Sequence, residues 1–139
     1  MKNLTSLFII AFFALTLSAQ ENNSTDKAPD SNAPVFKFET EVIDYGKVAP
    51  NSNGVRVFKF KNVGKSPLII SKIQSSCGCT VPKKPTEPIM AGESGEIEVK
   101  YDTKRQGGFA KTITIFSNAS EPVKRVRIKG IVLKPEQVN

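Results

Sequence analysis

Glu96-Ile97-Glu98-Val99-Lys100-Tyr101 alternates charged and apolar side chains without a break. Successive side chains of a β-strand point to opposite faces, so the apolar residues of this hexapeptide would share one face and the charged residues the other. Such alternation over β-branched and aromatic residues is typical of a half-buried strand. The stretch therefore predicts a strand with one face in a core, and it assigns Glu96 and Glu98 to a solvated surface rather than to a catalytic site.

The same period-two pattern recurs along the chain, and segments rich in Gly, Pro, Asn and Ser separate the runs. The predicted strands cover Val35–Glu39, Val55–Lys61, Pro67–Ile73, Glu96–Tyr101, Lys111–Phe116 and Lys124–Val132. No stretch shows the 3.6-residue apolar period of an amphipathic helix. The sequence therefore predicts an all-β protein, a two-sheet β-sandwich of about seven strands with an immunoglobulin-like architecture.

The alternation also predicts which side chains form the core. The inward set is Phe58, Phe60, Ile97, Val99, Ile113, Ile115, Val126 and Ile128. On the last strand, the outward set is Arg125, Arg127 and Lys129. The chain has no tryptophan and no widely spaced cysteine pair. An antibody-type core with a disulfide between the sheets is therefore excluded, and aliphatic and Phe packing must hold the sandwich.

The N-terminal residues have the pattern of an export signal. A basic start, an apolar run over Leu4–Leu17 and small residues at Ser18-Ala19 are typical of a secretory signal peptide. The run is shorter than the roughly 20 apolar residues of a membrane span, so no stable span is expected after the signal is removed. The predicted organisation is a signal peptide at 1–19, a flexible linker at 20–33, an Ig-like domain at 34–133 and a polar tail at 134–139.

The formal net charge of +7 is compatible with an anionic partner. Export to the periplasm or the outside of the cell makes nucleic acid a poor partner, so we expect none. A well-charged, soluble surface explains the balance without a specific ligand. The remaining partner class is another envelope or extracellular protein.

Cys77-Gly78-Cys79 holds both cysteines of the chain and leaves three interpretations open. The first is a structural bend at the end of the Leu68–Ile73 strand, with Pro82 ending the regular pairing. The second is a redox-active dithiol or disulfide. The third is a Cu(I) site with two thiolates. Residues two apart in a strand lie about 6.6 Å apart at Cα, near the upper limit for a disulfide, so Gly78 would have to permit a bend.

These interpretations make different predictions. Lys72, Lys83 and Lys84 are near in sequence and could lower a thiol pKa if they approach the sulfurs in space. A purely structural corner predicts that Gly78→Val is more damaging than replacement of both cysteines by Ser, because a β-branched residue resists positive φ and crowds a close backbone approach.

The chain contains no histidine, so it can form no Ser-His or Cys-His pair and no ordinary zinc site. Carboxylates are present, notably Asp44, Asp102 and Glu93, without a partner pattern that indicates acid–base chemistry. We therefore expect a non-enzymatic protein with no cofactor.

Several short motifs, taken in order, resemble the 1573 family of domains of unknown function, which are exported bacterial proteins of Bacteroidetes-type genomes. The motifs are Asp44-Tyr45-Gly46, Phe58–Gly64, Pro67–Ile70, Ser76–Pro82, Gly92–Ile97 and Ser117-Asn118. The resemblance covers about residues 36–132. It implies an immunoglobulin-like sandwich similar to modules of cilium, centrosome and sperm proteins, and it singles out Cys77, Gly78, Cys79 and Thr80 as motif positions.

The function predicted from these observations is that of an exported, non-enzymatic Ig-like module for protein interaction or cell-envelope structure. Exposed strand edges and end loops would be its binding surfaces. The alternative is a periplasmic thiol-redox or Cu(I)-handling protein that works through Cys77 and Cys79.

Overall fold

The computed structural model describes residues 30–137. The predicted signal peptide and residues 20–29 of the predicted linker lie outside this range. Within the linker's last residues, Asp30 begins a turn, since its side chain accepts a hydrogen bond from the Asn32 N–H at 2.9 Å. The Ser66 hydroxyl donates to the carbonyl of Asn32, so this turn is attached to the domain.

Eight strands and one short 3-10 turn form between residues 30 and 137. The strands are β1 (Phe36–Phe38), β2 (Val42–Val48), β3 (Val55–Asn62), β4 (Ile70–Ser75), β5 (Thr80–Lys83), β6 (Ser94–Tyr101), β7 (Gly107–Ser117) and β8 (Val123–Val132), and the turn is Pro135–Gln137. No helix in the described part of the chain is long and apolar enough to cross a membrane.

The strands form two four-stranded sheets. The first sheet has the order β1-β3-β6-β5, and the second has the order β2-β8-β7-β4. Neighbours are antiparallel except β2 and β8, which are parallel. The apolar faces meet in one buried cluster, so the predicted all-β sandwich is confirmed.

The predicted core is also confirmed residue by residue. All eight predicted inward side chains are at most 2% exposed, and Tyr101 is buried beside them. Arg125, Arg127 and Lys129 are exposed on β8, as their alternation with Val126 and Ile128 predicts. The strand register agrees with this core assignment, because Phe58 lies opposite Ile97 where β3 pairs with β6.

The structure differs from the prediction at several strands. β2 and β5 were not predicted, because Gly46 interrupts the pattern of one and Pro82 that of the other. β7 begins at Gly107, four residues before the predicted start at Lys111. Pro82 lies inside β5 opposite Val99, so the expectation that it ends the pairing is wrong.

Candidate functional site

The Cys77-Gly78-Cys79 tripeptide forms the corner at which the chain leaves one sheet for the other. It follows β4, an edge strand of the second sheet, and precedes β5, an edge strand of the first. A disulfide joins Cys77 to Cys79, whose Cα atoms are 5.3 Å apart. The bend that Gly78 was expected to permit is present, because Gly78 lies in a turn.

The two sulfurs have unequal surroundings. Cys79 is only 5% exposed and belongs to the core cluster, whereas Cys77 is half-buried against it. The Thr80 side chain is buried opposite Tyr101, and its Oγ1 lies 3.8 Å from Cys77 Sγ and 3.9 Å from Cys79 Sγ. Three of the four predicted site residues therefore contact one another.

Gly78 has neither of the constraints that the structural interpretation required. Its φ lies outside the positive range, which among described glycines is found at Gly46, Gly92 and Gly107. A Cβ built on Gly78 would meet no atom within 4 Å. The expected close backbone approach is therefore wrong for Gly78. It occurs instead at Gly64, where a Cβ would collide with the backbone of Ala33 and Pro34.

A groove of about 560 Å³ lies beside the corner. Gly78, Cys79 and Val81 form one side, and Asn53, Lys100 and Lys104 are among the residues that line the rest. Val81 is 64% exposed, so the groove opens to solvent next to a hydrophobic side chain.

Side-chain hydrogen bonds fix the positions of Ser52 and Gly54, which line this groove. The Tyr45 hydroxyl donates to the Gly54 carbonyl at 2.9 Å, and the Thr103 hydroxyl donates to the Ser52 carbonyl at 2.6 Å. Burial raises the pKa of Tyr45 to about 12, although the Arg56 guanidinium over its ring acts in the opposite direction. The phenol therefore stays neutral and keeps its donor.

Two of the lysines that were expected near the sulfurs, Lys72 and Lys83, lie elsewhere in the structure. Lys72 Nζ lies 6.0 Å from the centre of the Phe116 ring on the outside of the second sheet, and Lys83 lies opposite Glu98 on the first. Between residues 30 and 137, no group of three or more His, Cys, Asp or Glu side chains could hold a metal ion. A Cu(I) site needs thiolates, whereas both sulfurs here are bonded to each other.

The predicted carboxylates serve local structure. Asp44 accepts a hydrogen bond from the Gly46 N–H at 2.8 Å and forms an ion pair with Lys129 at 3.3 Å. The Gly46 hydrogen bond, and then Lys129, hold the pKa of Asp44 below its usual value. Glu93 likewise accepts from the Met90 N–H. These contacts give Asp44 and Glu93 a role in local structure.

Asn62 is an important residue that the sequence analysis missed. It is fully buried, and its Oδ1 accepts from the N–H groups of Val35 at 3.2 Å and Gly64 at 3.0 Å. Its Nδ2 donates to the carbonyls of Ser66 at 2.8 Å and Ile89 at 3.0 Å. The signal was available, because Asn62 continues the inward alternation of Phe58 and Phe60.

Edge strands are the other candidate surface, and the edge of β2 is closed locally. The Arg127 N–H donates to the Glu41 carbonyl, so Glu41 faces β8 and Val42 faces away from it. The Thr40 hydroxyl donates to the Val42 carbonyl at 2.7 Å and accepts from the Val42 N–H at 3.3 Å. Both outward main-chain groups of Val42 are therefore already bonded.

Two further edges offer little to a partner. In β5, the Asp102 N–H donates to the Cys79 carbonyl, so the main-chain groups of Cys79 point toward β6. Main-chain direction alternates along a strand, so those of Pro82 point away from β6, and proline has no N–H to donate. β1 is only three residues long, over Phe36–Phe38. Short edges and outward prolines are ways in which natural sheets prevent further pairing.

The edge of β4 lacks these obstacles. The Ser76 N–H donates to the Thr112 carbonyl at 3.0 Å, which sets the alternation so that Ile73 and Ser75 direct their main-chain groups away from β7. No strand among residues 30–137 pairs with that side. Lys72 is exposed on the outer face of β4, so a strand added here would lie beside a positive charge.

This topology places the protein among the immunoglobulin-like and PapD-like β-sandwich domains. The structure is similar to a protein of unknown function from Porphyromonas gingivalis W83, with a TM-score of 0.67 and 18% identity over 78% of this chain and 51% of that one. This chain thus spans about half the length of that protein. It is also similar to the ASH/PapD-like domain 7 of human CEP192, with a TM-score of 0.61 and 8% identity over 96% and 99% of the two chains.

A third similar structure is the CsuC–CsuE chaperone–tip adhesion subunit pre-assembly complex of Acinetobacter baumannii, with a TM-score of 0.50 and 11% identity over 70% of this chain and 57% of that one. No curated protein matches the sequence significantly. The family model described as Protein of unknown function (DUF1573) matches residues 36–132. The chain belongs to this family, which confirms the resemblance found from the motifs.

Proposed function

We propose that this chain is an exported, non-enzymatic immunoglobulin-like module that binds another envelope or extracellular protein. The observation that carries the proposal is the open edge of β4, where the main-chain groups of Ile73 and Ser75 point away from β7. An extended segment can add to such an edge through main-chain hydrogen bonds, with side chains supplying specificity. The complex of CsuC with the subunit CsuE supports a protein partner for a sandwich of this class.

Charge indicates the kind of segment that fits this edge. Lys72 is exposed on the outer face of β4, and Arg125 is exposed on the same face two strands away, across Thr114. The acidic residues Asp44 and Glu41 are paired with Lys129 and Lys124 near the opposite edge of this sheet. A partner strand with acidic side chains on its outer face is therefore favoured next to β4, since opposite charges on adjacent strands attract.

Amide hydrogen exchange with a defined peptide tests this proposal. An extended peptide of alternating Val and Glu should slow the exchange of the Ile73 and Ser75 amides, and a Val–Lys peptide should have less effect. Ile73→Pro removes the outward N–H and should abolish the protection. Ile73→Ala is the matched control, because it loses the same side chain but keeps the N–H, and it should still bind. Equal binding by both variants would contradict the use of this edge.

Export is a separate part of the proposal, supported by the apolar segment Leu4–Leu17. N-terminal sequencing of the protein in the producing cell's envelope or medium should begin near Gln20. A chain that begins at Met1 in those fractions would count against removal of a signal peptide.

A further inference from the structure

The Cys77–Cys79 bond does not hold the corner together by itself. It closes a ring of only three residues, so it restricts little of the unfolded chain. On one side of it, the Ser76 N–H is bonded to the Thr112 carbonyl of the second sheet at 3.0 Å. On the other side, the Asp102 N–H is bonded to the Cys79 carbonyl at 2.9 Å. The bond can therefore open while both flanking segments stay attached.

Access distinguishes the two sulfurs. A thiolate nucleophile must reach the sulfur that it attacks. Cys77 is half-buried, whereas Cys79 is 5% exposed and packed in the core cluster. Thr80 Oγ1 lies 3.8 Å from Cys77 Sγ and 3.9 Å from Cys79 Sγ, so it can donate to a thiolate on either sulfur. Cys77 is therefore the more accessible of the two residues, and burial is what distinguishes them.

The groove beside the corner lies on the Cys79 side, because Gly78 and Cys79 line it and Cys77 does not. Lys100 and Lys104 line it as well, and their positive charge favours a thiolate over a thiol there, while Asp102, also in the lining, forms an ion pair with Arg105 at 3.6 Å. Gly78 adds no side chain to this wall, and a Cβ there would extend into open space. The surface therefore leaves room for a cysteine-containing peptide or glutathione.

We infer that Cys77–Cys79 is a thiol–disulfide exchange site of fixed polarity, with Cys77 as the attacked sulfur and Cys79 as the leaving sulfur. A thiolate RS⁻ attacks Cys77 Sγ, the Cys77–Cys79 bond breaks, and its electron pair leaves on Cys79. The product is a mixed disulfide between R and Cys77. A second thiol then attacks the sulfur of R, giving RSSR, while Cys77 and Cys79 take up protons, so two thiols supply the two electrons.

Single-cysteine variants and glutathione test the polarity. Cys79→Ser leaves the accessible thiol, which should form a stable mixed disulfide with oxidised glutathione. Cys77→Ser leaves the buried thiol, which should react more than about tenfold more slowly. Mass spectrometry gives the rate for each variant, and circular dichroism melting of the same samples establishes that both are folded. Similar rates for the two folded variants would overturn the assigned polarity.

The wild-type protein provides a second measurement that does not depend on the folding of the variants. In a reduced glutathione buffer without denaturant, the bond should open, and alkylation followed by peptide mapping should find glutathione on Cys77 and not on Cys79. A bond that opens only in urea would overturn the inference. Neither result depends on peptide binding at β4, so the exchange site and the proposed binding edge can fail separately.

Discussion

Two cross-links lie at opposite ends of the first sheet, and they differ in kind. Near the start of β3, the Cys77–Cys79 disulfide is covalent but joins residues only two positions apart. At the end of β3, Asn62 uses four hydrogen bonds, of which those to Val35 and Ile89 each span 27 residues. The weaker type of bond therefore connects much more of the chain.

The contribution of a cross-link to stability depends on how much of the chain it restrains. A short disulfide loop removes little entropy from the unfolded chain. A buried amide with every polar atom satisfied holds separate segments in one arrangement, and removal of that amide takes a hydrogen bond from each of its former partners. We therefore expect Asn62 to contribute more to stability than the disulfide does. We expect chemical reactivity at the disulfide instead.

The largest expected effect is that of Asn62→Ala. The change removes the partner of the Val35 and Gly64 N–H groups and of the Ser66 carbonyl, while the Ile89 carbonyl keeps its bond from the Leu68 N–H. It should lower the free energy of unfolding by about 3 kcal/mol. Urea denaturation followed by circular dichroism gives the value.

Asn118→Ala is the matched control for this change. Asn118 also bonds two main-chain groups, the Ile69 N–H at 2.7 Å and the Pro67 carbonyl at 2.9 Å, but it is exposed. Water can replace these bonds, so the loss should be about 1 kcal/mol. Equal losses for the two variants would show that burial of Asn62 is not what matters.

Replacement of Cys77 and Cys79 together by Ser should cost less. The chain-entropy estimate for a three-residue loop is roughly 1.6 kcal/mol at most, and the variant should remain folded. Thermal melting of the oxidised wild type, the reduced wild type and the double variant measures this contribution. A loss as large as that of Asn62→Ala would reverse the comparison between the two ends.

Tyr45→Phe tests a second contact near the disulfide, the hydrogen bond between the Tyr45 hydroxyl and the Gly54 carbonyl. Loss of the hydrogen bond to the Gly54 carbonyl should cost about 1 kcal/mol at neutral pH. The unfolded phenol ionises near 10.0, whereas burial raises the pKa of Tyr45 to about 12 in the folded protein. The stability of the wild type should therefore fall as the pH rises from about 10 to 12.

Denaturation at a series of alkaline pH values measures this dependence. In Tyr45→Phe the fall should be smaller but still present, because burial also raises the pKa of Tyr101. An unchanged pH profile would mean that Tyr45 does not carry the effect.

The smallest expected effect is that of Gly78→Val. With open space at the Cβ position and no positive φ, the substitution should change stability by no more than about 0.5 kcal/mol. Gly64→Val is the contrasting control, since its side chain would collide with the backbone of Ala33 and should unfold the domain. Melting temperatures that rank these two variants in the reverse order would contradict the open space at Gly78 and the close packing at Gly64.

Much of the fold was predictable because strand alternation is a local property. The inward positions Ile97 and Val99 are read directly from their charged neighbours, and both are fully buried. β2 and β5 were missed because Gly46 and Pro82 interrupt their alternation, and Val42 and Val81 are in fact exposed. The inward position of Asn62 was readable from Phe58 and Phe60, but a polar residue at the end of an apolar pattern also fits a turn.

The sequence alone determined the all-β class, the two faces of each major strand, the single pair of cysteines and the family. These features follow from neighbouring residues, whose side chains alternate whatever the rest of the chain does. The open strand edge, the relative burial of the two cysteines and the groups bonded by Asn62 could be seen only in the folded protein. Those properties depend on segments that are distant in sequence and come together only when the two sheets pack, since burial and pairing belong to the folded arrangement.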